Sequence, residues 1–122
     1  MSLAIPMMFV LLAGGQPLSL PKDSSCDLPT ERGVNACAYK QRKTWARSLN
    51  AEYRAALARV SDEQRPELVK AQRIWVQYRD ANCAVEYAHA GTVATYLGEQ
   101  CVLNMTRARA KELHGLHDED DD

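Results

Sequence analysis

The chain has 122 residues, 46% of them hydrophobic, which is enough for one domain with a modest core and too little for two. Fifteen basic residues against sixteen acidic ones give a net charge of −1, which argues against a nucleic-acid-binding domain. The five acids from Asp118 to Asp122 hide a mildly basic body, with 15 basic residues against 11 acidic ones.

In chain order, the first feature is the uncharged apolar run from Ile5 to Leu12. It is too short to cross a bilayer, which takes about 20 residues, and Ala13 and Gly15 follow it like a signal-peptidase site. Residues 1–15 are therefore expected to be a signal peptide, and the chain to be periplasmic or secreted, without stable membrane insertion. Residues 16–29 carry Pro17, Pro21 and Pro29 among serines and read as an extended arm held at Cys26.

Thr30 is placed to cap a first helix. Beyond it Val34, Cys37, Ala38, Trp45, Leu49, Tyr53, Ala56, Leu57 and Val60 recur at helical steps and form an inner face. Lys40, Lys43, Arg47 and Arg54 share the opposite side, with Arg32 and Arg42 nearby, as a solvated face or a surface for anionic polymer or lipid headgroups. Ser61 with Gln64 fits a capping box for a second helix. Its inner face is expected to hold Leu68, Ala71, Trp75, Tyr78, Asn82 and Val85 or Glu86. Gly91 marks a turn. Thr92 is placed to cap a third helix with Val93, Leu97, Cys101, Met105 and Leu113 facing inward and Gly115 at its close. No run alternates as a strand would, so an all-α domain of three helices is expected over residues 30–116, followed by an acidic tail over 117–122.

Four cysteines, Cys26, Cys37, Cys83 and Cys101, form no Cys-x-x-Cys pair. An even count in a short exported chain points to disulfides, and the wide gaps argue against zinc. Cys83 stands eight residues before Gly91 and Cys101 ten residues after it, so antiparallel helices bring them to similar heights. That leaves Cys26 to tie the arm to Cys37. No serine elbow, glycine-rich phosphate loop or metal-ligand spacing is present, so neither catalysis nor a cofactor is expected.

The segment from Lys70 to Cys83 reads KAQRIWVQYRDANC. Upstream stand Asn35-Ala36-Cys37 and Leu49-Asn50-Ala51-Glu52-Tyr53; downstream stand Gly91-Thr92, Cys101 and Thr106-Arg107-Ala108-Arg109. Together these resemble the LprI-type lysozyme inhibitors, from Cys26 to about Leu113. The resemblance implies an exported module that blocks the cleft of a lysozyme-like enzyme by steric occlusion. The rival reading is an envelope-binding module that uses the basic face of the first helix. Within the core motif, Gln72, Trp75, Tyr78, Arg79 and Asp80 read as structural, with Trp75 and Tyr78 pointing inward at helical spacing. As partner surfaces the chain offers Lys40, Lys43, Arg47 and Arg54, and the tail acids Asp118, Asp120, Asp121 and Asp122. Because the body is net basic, only the tail complements a basic lysozyme.

Overall fold

Thr30 opens the first helix as expected: its side chain accepts a hydrogen bond from the Gly33 N–H at 3.0 Å. The structure is a computed structural model that describes residues 18–22, 26 and 30–116. The signal peptide and acidic tail read from the sequence lie outside the described residues. Three helices follow in order: α1 (Glu31–Arg59), α2 (Gln64–Tyr87) and α3 (Val93–His114). No strand occurs among the described residues.

The joints follow the local chemistry. Between α1 and α2, the Ser61 N–H donates to Gln64 Oε1 at 2.9 Å and the Gln64 N–H donates to Ser61 Oγ at 3.2 Å, a reciprocal capping box. Arg65 folds back over this joint and donates to the carbonyls of Leu57 and Val60, taking up groups that the end of α1 leaves open. Gly91 supplies the one positive φ among the described residues, +91°, which a side chain would strain. Thr92 makes no side-chain cap at α3, against expectation; its backbone is already helical, a conformation in which the hydroxyl forms no such bond. At the far end Arg59 donates to the carbonyls of Leu113 and Leu116 and so closes α3 from α1.

The layout is set by α3. It packs extensively against α1 along one side and against α2 along another, while α1 and α2 barely touch. Because α1, α2 and α3 alternate in direction through short joints, α1 and α3 run parallel, as the pairs Arg42–Glu99 and His114–Glu52 show. The core between them holds Trp45, Leu49, Ala56, Val60, Leu103, Ala110 and Leu113, joined by Leu68 of α2. Leu20 of the arm packs against the same cluster. Both expected disulfides are present, Cys26–Cys37 with Cα atoms 5.7 Å apart and Cys83–Cys101 at 5.5 Å. No cysteine is free, so the thiolate-zinc alternative falls.

Two inner faces differ from the sequence reading. In α3, Leu97, Cys101 and Met105 are only partly buried and Val93 is exposed; the deeply buried positions include Leu103, Thr106, Ala110 and Leu113. A helix sandwiched between two others has two inner faces, and the apolar steps marked only one side of it. In α2, Leu68 is buried and Trp75 half-buried as expected, but Ala71, Tyr78 and Val85 face solvent, Asn82 is exposed while its amide reaches Cys101 and Met105 of α3, and Gln72 and Cys83 are buried on the inner side. The true inner face is rotated because polar Gln72 occupies it, with its carbonyl accepting from Arg109 Nε at 2.9 Å.

Candidate functional site

The residues of the Lys70–Cys83 motif divide between the inside and the outside of α2. Gln72 is buried against α3, where its partner Arg109 also pairs with Glu112 at 2.9 Å. Trp75 is half-buried and packs on the core cluster. Arg79 lies one turn further, with its guanidinium 5.2 Å from the Trp75 ring centre and its Nε 3.0 Å from Asp80. This is a cation stacked on an aromatic face and steadied by a carboxylate. Gln72 and Trp75 thus contact the rest of the bundle, while Arg79 and Asp80 pair locally on α2.

Tyr78 does something else. It is 60% exposed, and its neighbours on the same side are Ile74 at 55% and Val85 at 71%. Steps of four and seven residues place the three on one outer ridge, with the exposed alanines Ala71 and Ala81 between and before them. The expectation that Tyr78 points inward is therefore corrected: once Gln72 and Cys83 face α3, the helical period turns Tyr78 away from it. Scattered apolar side chains on a surface are ordinary, but a contiguous ridge of them is a mark of interaction.

The basic residues of α1 sit where the sequence placed them. Lys40, Lys43, Arg47 and Arg54 are all exposed. Arg42 belongs to another group: its Nε lies 2.6 Å from Glu99 Oε2, and Glu99 Oε1 accepts from the Tyr87 hydroxyl at 3.1 Å. Burial pushes the Tyr87 phenol above its ordinary value, and the hydrogen bond and negative charge of Glu99 add to the effect. The tail acids Asp118, Asp120, Asp121 and Asp122 lie outside the described residues.

Sequence reasoning missed the burial of one residue of the Leu49–Tyr53 element. Glu52 of α1 is only 1% exposed, its Oε1 3.0 Å from Nδ1 of His114, while its Oε2 is buried without a hydrogen-bond partner. The signal was available, since Glu52 falls one turn past Leu49 and one before Ala56 on the inner face. Among the described residues no group of three or more histidine, cysteine or acidic side chains gathers as a metal site.

The family model described as lysozyme inhibitor LprI matches residues 23–113. A protein of Rhizobium meliloti (strain 1021), described only as uncharacterized, is 27% identical over 95% of this chain and 96% of its own length. No solved structure matches.

Proposed function

This chain belongs to the LprI lysozyme-inhibitor family, and on that premise we propose that it binds a lysozyme-like, peptidoglycan-cleaving enzyme and occludes its cleft with the outer ridge of α2. The observation that carries the reading is the uncovered ridge of Ile74, Tyr78 and Val85. An apolar helix face presented to a groove is a recurring mode of recognition. The ridge is held rigidly from behind by the Cys83–Cys101 disulfide and the Gln72–Arg109 hydrogen bond, so little freedom is lost on docking. Lys70, exposed one turn before Ile74, adds a cation at the same edge. Its sign suits the paired carboxylates with which glycoside-cleaving clefts work. The chain itself performs no chemistry in this mechanism; it excludes substrate. Two disulfides support an oxidising compartment, so the working place is outside the cytoplasm, periplasmic or secreted.

The test is an inhibition assay against a panel of peptidoglycan-cleaving enzymes. Tyr78→Ala should weaken inhibition of the enzyme that is bound by about thirtyfold, as removal of a central aromatic anchor does. Its melting temperature should hardly change, because the side chain is already in solvent. Undiminished inhibition by Tyr78→Ala would move the contact surface elsewhere. If the unaltered chain inhibits no enzyme of the panel, the proposed activity is wrong for this member of the family.

A further inference from the structure

The outer side of α1 is a stripe on which every charge is positive. Arg32, Lys40, Lys43, Arg47 and Arg54 are exposed and lie within a narrow sector of the helix. From first to last they cover about 33 Å at the helical rise of about 1.5 Å per residue. The two carboxylates of α1 are elsewhere: Glu31 starts the helix on the opposite side, and Glu52 is buried against α3. Among the described residues none of the five cations forms an ion pair. Lys43 is steadied with its ammonium 5.4 Å from the ring centre of Tyr39, over which Arg42 also lies at 5.3 Å.

The arm extends this stripe. The Cys26–Cys37 disulfide fastens it to α1, and Leu20 anchors it on the core. Lys22, between these two anchors, then lines a cleft of about 260 Å³ together with Lys40, Gln41 and Thr44, over a floor that includes Trp45. Two ammonium groups thus border one recess beside the cationic row, at the level of Lys40 between Arg32 and Lys43.

We propose that the arm and α1 form a track for a linear polyanion, a polymer with phosphate or carboxylate groups along its length. One anionic group occupies the cleft between Lys22 and Lys40, and later groups meet Lys43, Arg47 and Arg54. Each exposed contact is weak alone, but groups tethered on one chain bind with the advantage of high local concentration, and each releases counterions. A membrane surface fits less well. Ala36 and Asn50 stand between the cations, and the large ring beside them, Tyr39, is 48% exposed but lies under Arg42 and Lys43, so the row lacks the continuous apolar face that an interfacial helix puts into the lipid boundary. The inference is independent of enzyme inhibition, which uses α2.

The experiment measures binding of inorganic polyphosphate and of polygalacturonate to the whole protein by calorimetry at low and high salt. Binding to at least one polymer is expected, weakening steeply as salt rises, and which polymer binds identifies the anionic group. Arg47→Glu with Arg54→Glu should weaken it about tenfold or more and flatten the salt dependence. Lys22→Glu should weaken it less, and the Cys26→Ser/Cys37→Ser pair should match Lys22→Glu by releasing the arm. Circular dichroism melts check that the variants fold. Binding to neither polymer overturns the proposal. So does binding to phosphatidylglycerol vesicles alone, which would indicate a membrane surface. Equal loss with Arg73→Glu, on α2, also overturns it, since that would be a response to net charge and not to the track.

Discussion

Glu52 is the residue whose surroundings suit it least. A carboxylate at 1% exposure holds one oxygen on His114 and leaves the other without a hydrogen-bond partner. A half-satisfied buried group is costly, and removing its remaining partner costs more than removing both. His114→Ala is therefore expected to destabilise the fold by about 1–3 kcal/mol. Glu52→Leu should cost less, and the double variant should lie close to Glu52→Leu alone, because the lone carboxylate is then gone. Denaturant melts of the three variants decide it. A harmless His114→Ala would show that the imidazole, itself 42% exposed, does nothing for Glu52. At the same scale Tyr78 is the counterpart of Glu52: an apolar group where water is, as Glu52 is a polar group where water is not. Neither is explained by folding alone, and only Tyr78 is exposed.

Among the elements, α3 carries the packing, and Gly98 is where it lets α2 come close. A Cβ added at Gly98 would fall 2.3 Å from two carbons of the Tyr87 ring, so the ring lies directly on the backbone of α3. Gly98→Ala gains about 1 kcal/mol of helix propensity and loses about 1–3 kcal/mol to overpacking, so a net loss of stability is expected. The displaced ring also loses its bond to Glu99. Titration supplies a second readout. In the unaltered protein, burial first and Glu99 second raise the phenol above its usual value near 10. The native state therefore holds that proton more tightly than the unfolded chain does. The associated stability is fully present below pH 10 and is lost as pH rises towards the native value. Tyr87 should thus ionise late, above the usual tyrosine value, by ultraviolet difference absorption, and Gly98→Ala should lower its midpoint. A late phase that survives the substitution would mean the ring does not depend on that close approach.

For the whole molecule, the distribution of charge matters more than the net value. All fifteen basic residues lie within the described part of the chain, whereas five of the sixteen acids belong to the tail. A basic enzyme would meet an unfavourable field from the helices and a favourable one from the tail. Exposed charges are screened over roughly 8 Å at physiological salt, so this steering is a low-salt effect on association. Truncation after Leu116 is expected to slow association with a basic lysozyme and weaken inhibition at low salt, to matter little at high salt, and to leave melting unchanged. Equal inhibition by both forms at low salt would remove the tail from the mechanism. The division of labour across the molecule is then between α3 as the packed centre, α2 with an apolar ridge outward, and α1 with a cationic one.

Helix number, helix limits, the capping box at Ser61 and both disulfides are legible in the amino-acid sequence, because each rests on neighbours within a few turns of chain: periodicity, cap chemistry and equal offsets about Gly91. The family resemblance is legible for the same reason, in the spacing of one motif. What the tertiary structure decided is which side of each helix faces in. α3 has two inner faces: that toward α2 carries Cys101 and Met105, and that toward α1 mixes Leu103 and Leu113 with Thr106 and Ala110, small side chains that let helices approach but carry little hydrophobic signal. In α2 the burial of Gln72 depends on Arg109, thirty-seven residues away, and that one long-range bond goes with a rotation of the helix that puts Tyr78 outside. Periodicity defines a face, but only the partner groups that satisfy its polar atoms determine where that face is buried.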